Sequence, residues 1–288
     1  MKILISDKMS NKVEDVLKSK QINFDIKTGM SPEELKEVID QYDGILIRSA
    51  TKLTSDILAD CKNLKVIGRA GVGVDNVDLD QATKNKILVM NTPLGNLEAT
   101  AELSVGLMFS LMRNIHLAND STHQGKWEKP KFIGTELKGK TLGIVGYGNI
   151  GQRVAEICST IGMNIITNSK SASDEDLSRF KAKKVSTEQL IKEADIVSIH
   201  TKLNDETKYM FNKETLSTMK PTSVIINCAR GGLINEVDLK DALNNGVIAG
   251  AAIDVYENEP ATDNVMFGAK NLLLTPHLGA SSKEAQSN

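Results

Sequence analysis

The sequence predicts an α/β protein made of two doubly wound parallel-sheet domains, and three observations carry that prediction. Short, nearly all-apolar runs alternate with amphipathic stretches along the whole chain, the pattern of parallel strands covered on both faces by helices. The alternation comes in two series, separated by a long apolar stretch near residues 98–118. A glycine-rich turn, Gly146-Tyr147-Gly148-Asn149-Ile150-Gly151, follows the first strand of the second series. With 288 residues, 40% of them hydrophobic and 25% charged, the chain has material for a core in each of two ordinary domains.

The first series reads KILIS (2–6), FDIKT (24–28), GILIR (44–48), KVIGRA (65–70) and ILVMN (87–91) as strands. Among them, Ser31-Pro32-Glu33-Glu34 has capping-box spacing with proline at the first helical position, so a helix starts there. The helix near 98–118 is apolar on most sides through Leu103, Val105, Leu107, Met108, Phe109, Leu111, Met112 and Ile115. A helix apolar all round is buried, in the core or against a second copy of the chain, and both readings stay open. The second series reads TLGIV (141–145), NIIT (164–167), DIVSIH (195–200), SVIINC (223–228), AGAAIDV (249–255) and LLLTPH (272–277) as strands. Near the C-terminus, Ser281-Ser282-Lys283-Glu284 again has capping-box spacing, yet only four residues follow. One helical turn does not stand alone, so the reading expects a chain cut short of at least one helix.

The glycines of 146–151 permit a tight turn and a close backbone approach to a pyrophosphate. The helix that follows, NIGQRVAEICSTI, offers unpaired N–H groups and a favourable dipole to the same anion, and Gly162 is placed to end it. The dinucleotide fingerprint also asks for a carboxylate after the next strand, ~20 residues on, to hold the ribose 2′-hydroxyl. Here that strand ends in Asn168, Ser169 and Lys170, and the first carboxylate is Asp174. An acid at this place repels the 2′-phosphate of NADP. Ser169 removes the repulsion and Lys170 can add attraction, while Ser169 can equally bond the ribose hydroxyls. The cofactor reading is therefore NAD, with NADP possible and the choice open.

Hydride transfer to a ketone needs a proton for the oxygen, polarisation of the carbonyl and a grip on an anionic substrate. Three strands of the second series end in suitable groups. NCARGG places Arg230 past a strand, DVYENEP places Asp254 and Glu259, and TPHLGAS places His277. Ligands of open parallel sheets sit outside the carboxyl ends of the strands, so these groups should share one crevice with the glycine turn. Imidazole, with a reference pKa near ~6.5, suits an acid/base at His277, with Glu259 to orient it and Arg230 as a planar anchor for a carboxylate. His116 lies in a helix, His123 in a polar loop, and His200 ends a strand.

Other features narrow the class. A formal net charge of −2 gives no reason to expect nucleic acid or a membrane surface as partner. No apolar run approaches the ~20 residues that span a bilayer, and the opening MKILISDK is too short for a signal peptide. Cys61, Cys158 and Cys228 are scattered and make no disulfide frame or metal spacing. The expectation is a cytoplasmic protein without a bound metal.

Seven segments together resemble the D-2-hydroxyacid dehydrogenase family: RSATKLT (48–54), VIGRAGVGVDNVDL (66–79), VMNTPLGN (89–96), GKWEKPKFIGTELKGKTLGIVGYGNIG (125–151), NCARGG (227–232), GAAIDVYENEP (250–260) and PHLGASSKEAQS (276–287). The resemblance implies a Rossmann-type cofactor domain, 96–280, inserted into a flavodoxin-like substrate domain, 1–95 with 281–288. It implies His277 as acid/base, Glu259 as its partner and Arg230 as substrate anchor. Val72 and Gly73 would present backbone N–H groups to the substrate carboxylate, with Val72 also bordering the cofactor and Asn96 nearby. Asp254 would face the nicotinamide amide, and Thr201, Cys228, Ala229, Gly279 and Ala280 would line the cofactor beside Gly146, Gly148, Asn149, Ile150, Gly151 and Ser169. Arg48, Ser49, Arg69 and Lys129 would meet the phosphate of a small phosphorylated 2-hydroxy acid. The implied reaction is oxidation of 3-phospho-D-glycerate to 3-phosphohydroxypyruvate in serine biosynthesis; the apolar helix near 98–118 adds the expectation of a homodimer. The chain departs from the family pattern at Ser169, where an acid is expected, at Asn149, where a basic residue is common, and in lacking the helix that returns to the substrate domain. A glyoxylate or hydroxypyruvate reductase is the nearest alternative, and a dinucleotide-sensing binding protein the alternative from another class.

Overall fold

Each apolar run of the first series forms a strand. In the computed structural model, which describes residues 1–287, these are β1 (Lys2–Ile5), β2 (Asn23–Ile26), β3 (Gly44–Ile47), β4 (Val66–Arg69) and β5 (Leu88–Asn91). They pair in parallel in the order β2-β1-β3-β4-β5. Helices α1 (Lys12–Ser19), α2 (Pro32–Val38), α3 (Ser55–Leu58) and α4 (Leu79–Lys84) connect them. The capping box at α2 forms as expected: Ser31 Oγ accepts the Glu34 N–H at 3.2 Å, and the Glu34 carboxylate accepts the Ser31 N–H at 2.8 Å. Side chains alternate across the sheet. Ile45, Ile47 and Ile67 pack on one face with Leu35, Ile57 and Leu58, while Ile3 and Ile5 pack on the other with Leu17 of α1. On that second face the row Ile3, Gly44, Val66, Leu88 runs out to an exposed edge, where Leu88 and Met90 face solvent. This unit comprises Met1–Asn96 and the C-terminal stretch from Ser282.

The second unit, Leu97–Ser281, starts with α5 (Leu97–Met112) and α6 (Ile115–His123). Its strands are β6 (Thr141–Val145), β7 (Asn164–Thr167), β8 (Lys183–Lys184), β9 (Ile196–Ile199), β10 (Val224–Asn227), β11 (Gly250–Ile253) and β12 (Leu272–Leu274). The intervening helices are α7 (Asn149–Thr160), α8 (Asp174–Arg179), α9 (Thr187–Glu193), α10 (Lys213–Ser217) and α11 (Glu236–Asn244). All strand pairs are parallel, in the order β12-β11-β10-β9-β6-β7-β8. The chain leaves β6 in one direction for β7 and β8, then returns to β9 on its other side. That reversal at β6 is the switch point where such sheets open a crevice.

Three details differ from the sequence reading. The single helix near 98–118 is two helices, because Asn114 adopts a left-handed conformation (φ +54°) that a short polar side chain tolerates. Val105, Leu107, Met108, Leu111 and Met112 of α5 are core residues of this unit, whereas Ile115, beyond the break, is exposed. No helix follows Ser281 among the described residues: the chain makes hydrogen-bonded turns, and Ser282 Oγ, not Ser281, accepts a backbone N–H, that of Ala285, at 3.0 Å. Asn288, the last residue of the expected turn, lies outside the described residues. Strand β8 is an addition that two lysines gave no apolar signal for.

Cys61, Cys158 and Cys228 are buried free thiols, and burial pushes them up to about 11, about 12 and about 12. No helix of the described residues is long and apolar enough to cross a membrane.

The seating of α7 on the sheet depends on Gly151. A Cβ there would stand 2.2 Å from the Gly146 carbonyl oxygen, so Gly151→Ala must push the helix off its strand. The expected cost is about 1–3 kcal/mol, read as a lower urea midpoint at unchanged slope.

Candidate active site

Parallel strands bring their carboxyl ends to one edge of the sheet, and in the second unit that edge gathers the expected groups in strand order. Gly146 leaves β6 at φ +91°, a conformation that favours glycine. A Cβ on it would lie 2.7 Å from the backbone of His200 and Thr201, which leave β9, so the two strand exits touch because the side chain is missing. Gly148 is the N-cap residue of α7, and nothing lies within 4 Å of a Cβ built on it. Asn149 and Ile150 begin the helix beside this bare surface. An open helix N-terminus over an unobstructed glycine is a fitting seat for a pyrophosphate. The residues present therefore fit a dinucleotide.

After β10, Asn227 shapes the loop that carries Arg230. Its Oδ1 accepts the Ala229 N–H at 3.0 Å and its Nδ2 donates to the Arg230 carbonyl at 2.9 Å. The Arg230 guanidinium donates to the Ala229 carbonyl at 2.6 Å. Cys228, which starts this loop, is buried in the core of the unit. A Cβ on Gly231 would come 1.9 Å from the Tyr256 carbonyl oxygen, so the Arg230 loop seats directly against the loop after β11.

That second loop carries Asp254 and Glu259. Asp254 is fully buried, and its carboxylate accepts from Thr275 Oγ1 at 2.6 Å and from the N–H groups of Leu278 and Gly279 at 2.7 and 2.9 Å. Its backbone carbonyl accepts the His277 N–H at 2.9 Å. The carboxylate that the resemblance places toward the nicotinamide amide is, in this structure, hydrogen-bonded to the loop after β12. Thr100 of α5 donates to the Gly279 carbonyl at 2.9 Å, and the Tyr256 hydroxyl donates to the Thr275 carbonyl at 2.9 Å. Gly279 is buried and Ala280 half-buried. Thr100, Tyr256 and Thr275 were not singled out from sequence, because nothing local marks a residue as a clamp on a distant loop.

The clamped loop holds His277 at φ +54°, exposed at the edge. Its Nδ1–H donates to Glu259 Oε2 at 2.6 Å, while Glu259 Oε1 accepts the Tyr256 N–H at 3.0 Å. This leaves Nε2 as the outward atom. The bond to Glu259 raises the His277 pKa above its ordinary value against the opposing effects of burial and of Arg230. Burial pushes Glu259 up, but its bonds from His277 and Tyr256 and the Arg230 charge outweigh this and hold it below the ordinary carboxylate value. Arg230 acts electrostatically on both partners, so the three side chains form one cluster. By contrast His200, pushed by burial down to about 4, is neutral at physiological pH and bonds Ser198 Oγ at 2.8 Å.

Ser169 follows β7. Its Oγ accepts the Ala172 N–H at 3.2 Å, closing a small turn. In the first unit, Arg48 and Ser49 follow β3, and Arg69, Val72 and Gly73 end or follow β4. The Arg48 guanidinium donates to the Lys8 carbonyl at 3.3 Å. Arg69 lies over Gly71, where a Cβ would be 1.6 Å from its guanidinium. Asn91 Nδ2 donates to the Val72 carbonyl at 2.7 Å and braces that loop. Asn96, the last residue of this unit's first segment, has a buried Oδ1 with no hydrogen-bond partner among the described residues. Lys129 lies in the second unit, on an exposed 3-10 turn (Lys129–Phe132) that packs with α6. No cluster of metal-ligating side chains occurs among the described residues.

Residues 105–279 match the family model described as "D-isomer specific 2-hydroxyacid dehydrogenase, NAD binding domain", and residues 3–183 match its "catalytic domain". The chain belongs to the D-isomer specific 2-hydroxyacid dehydrogenases, a family of oxidoreductases. It is 44% identical over 287 residues to a D-3-phosphoglycerate dehydrogenase of Synechocystis, covering 100% of this chain and 52% of that protein. It is 43% identical to the enzyme of that name from Bacillus subtilis, covering 100% and 54%. The chain thus spans about half the length of the curated relatives it matches. Among solved structures, a glyoxylate reductase from Paecilomyes thermophila superposes with a TM-score of 0.91 at 31% identity, covering 99% of this chain and 90% of that one.

The His277–Glu259 pair sets a pH signature with two sides. The raised His277 contributes stability that is complete below its ordinary value of 6.5 and fades as pH rises through the raised one. The lowered Glu259 contributes stability present above its ordinary value of 4.5 and lost as pH falls through the lowered one. Glu259→Gln removes the bond that raises His277, so its imidazole titration, followed by NMR, moves to lower pH. An unmoved midpoint would show that Glu259 does not set it.

Proposed function

We propose that this chain catalyses NAD(P)-dependent oxidation of 3-phospho-D-glycerate to 3-phosphohydroxypyruvate, the step that leads into serine biosynthesis. The observation that carries the redox reading is the clamped His277–Glu259 pair with Arg230, on the same sheet edge as the open glycine turn. The substrate reading is supported by the names of the relatives at 44% and 43% identity. The nicotinamide cofactor that Gly146, Gly148 and the N-terminus of α7 would hold would supply the acceptor for the hydride leaving C2 of the hydroxy acid. Neutral His277 takes the substrate hydroxyl proton on Nε2, while Glu259 holds Nδ1–H and stabilises the imidazolium. In reverse, the same Nε2 returns that proton to the carbonyl oxygen. Arg230 grips the carboxylate or the reacting oxygen with its fork. Backbone N–H groups of Val72 and Gly73, with Asn96, would hold the carboxylate, and Arg48, Ser49, Arg69 and Lys129 would read the phosphate. Thr201, Cys228, Ala229, Gly279 and Ala280 would border the cofactor. A homodimer fits the exposed apolar residues Ile115, Leu117, Trp127 and Ile133 around α6.

A reductase acting on glyoxylate or unphosphorylated hydroxypyruvate is the second reading, favoured by the glyoxylate reductase likeness and by Ser169. Initial rates with three keto acids separate the two. Phosphohydroxypyruvate is expected to exceed hydroxypyruvate and glyoxylate in kcat/KM by about 10-fold or more, the worth of charge-assisted phosphate bonds. Equal rates would favour the second reading.

His277→Ala is expected to lower kcat by about 10²–10⁴. Cofactor binding, followed by nicotinamide fluorescence, should remain. Normal turnover in this variant would remove His277 from the mechanism.

A further inference from the structure

The exit of β7 is built unlike a ribose-binding acid site. β7 pairs directly with β6, Ile144 beside Thr167, so Ser169 stands one strand over from the glycine turn. In this topology the ribose of a dinucleotide lies over that exit, and the residue there reads its 2′ position. From Asn164 to Ser173 there is no carboxylate. The turn presents the hydroxyls of Ser169 and Ser171, 3.5 Å apart, and the ammonium of Lys170. Strand β8 then brings a second ammonium. Lys184 pairs in register with Thr167, and its Nζ donates to the Lys170 carbonyl at 3.3 Å, held at the turn from 14 residues away. The nearby acids belong to the start of α8. Asp176 is engaged there, its carboxylate accepting the Ser173 N–H at 3.1 Å and the Ser173 hydroxyl at 2.7 Å.

We propose that Ser169, Lys170, Ser171 and Lys184 form a subsite for the 2′-phosphate of the adenosine ribose, so that this chain binds NADP(H) more tightly than NAD(H). The proposal rests on the dinucleotide reading given above and names the cofactor within it. Hydroxyls and ammonium groups suit a dianion, whereas the ribose hydroxyls of NAD offer them no charge to neutralise.

The test is fluorescence titration of the intact chain with NADPH and NADH, at low and moderate salt, for the wild type, Ser169→Asp and Lys184→Ala. The wild type is expected to bind NADPH the more tightly, by an advantage that shrinks as salt rises. Ser169→Asp is expected to shift the affinity ratio toward NADH by about tenfold or more through charge repulsion. Lys184→Ala is expected to shift it the same way by a smaller factor. Wild-type binding of NADH as tight as or tighter than NADPH would overturn the subsite, as would a ratio that neither variant moves. In those outcomes the dinucleotide reading stands. If neither nucleotide binds the wild type, both readings fall.

Discussion

A fully buried carboxylate must find hydrogen-bond donors, and Asp254 finds three in one short loop: the Thr275 hydroxyl and the N–H groups of Leu278 and Gly279. This ties the end of β11 to the chain leaving β12. The clamp holds His277 at a positive φ that costs a non-glycine residue on the order of 1–2 kcal/mol. Without the clamp the loop would relax and the imidazole would leave Glu259. The same β11 exit supplies Glu259, whose second oxygen is fixed by the Tyr256 N–H. Both members of the pair are thus aimed by one buried anchor, so the geometry at the edge is set before any ligand arrives.

Absence of side chains does comparable work nearby. Gly146 lets the β6 exit lie on the β9 exit, and Gly231 lets the Arg230 loop lie on the β11 loop. These contacts draw neighbouring strand ends together more closely than residues with a Cβ would allow. Arg230 consequently acts on Glu259 and His277 alike, lowering the pKa of both, while the Glu259 bond still keeps His277 above its ordinary value.

The strands were legible because parallel strands buried on both faces read as continuous apolar runs, and β6 and β7 fall at the residues their sequences announce. β8 was not, since Lys183 and Lys184 are recruited by pairing with β7 and not by burial of their own. The break at Asn114 was hidden because apolar residues continue on both sides of it, while the conformation that ends α5 is a property of one backbone angle. At the edge, Arg230, Glu259 and His277 were readable because chemistry-bearing types follow apolar strands. The inward task of Asp254 was not, because it depends on which loop lies above it. Lys184 escaped for the same reason: its neighbour Lys170 is close in space and distant in sequence.

The three buried thiols bear on how the molecule can be handled. A thiolate is the form that reacts, and burial in packed cores pushes all three thiols up, to about 11 for Cys61 and about 12 for Cys158 and Cys228. Maleimide reagents at pH 7 will therefore leave Cys61, Cys158 and Cys228 almost untouched. One cysteine introduced on an exposed turn becomes an addressable site for a dye or spin label, with the native sequence otherwise intact.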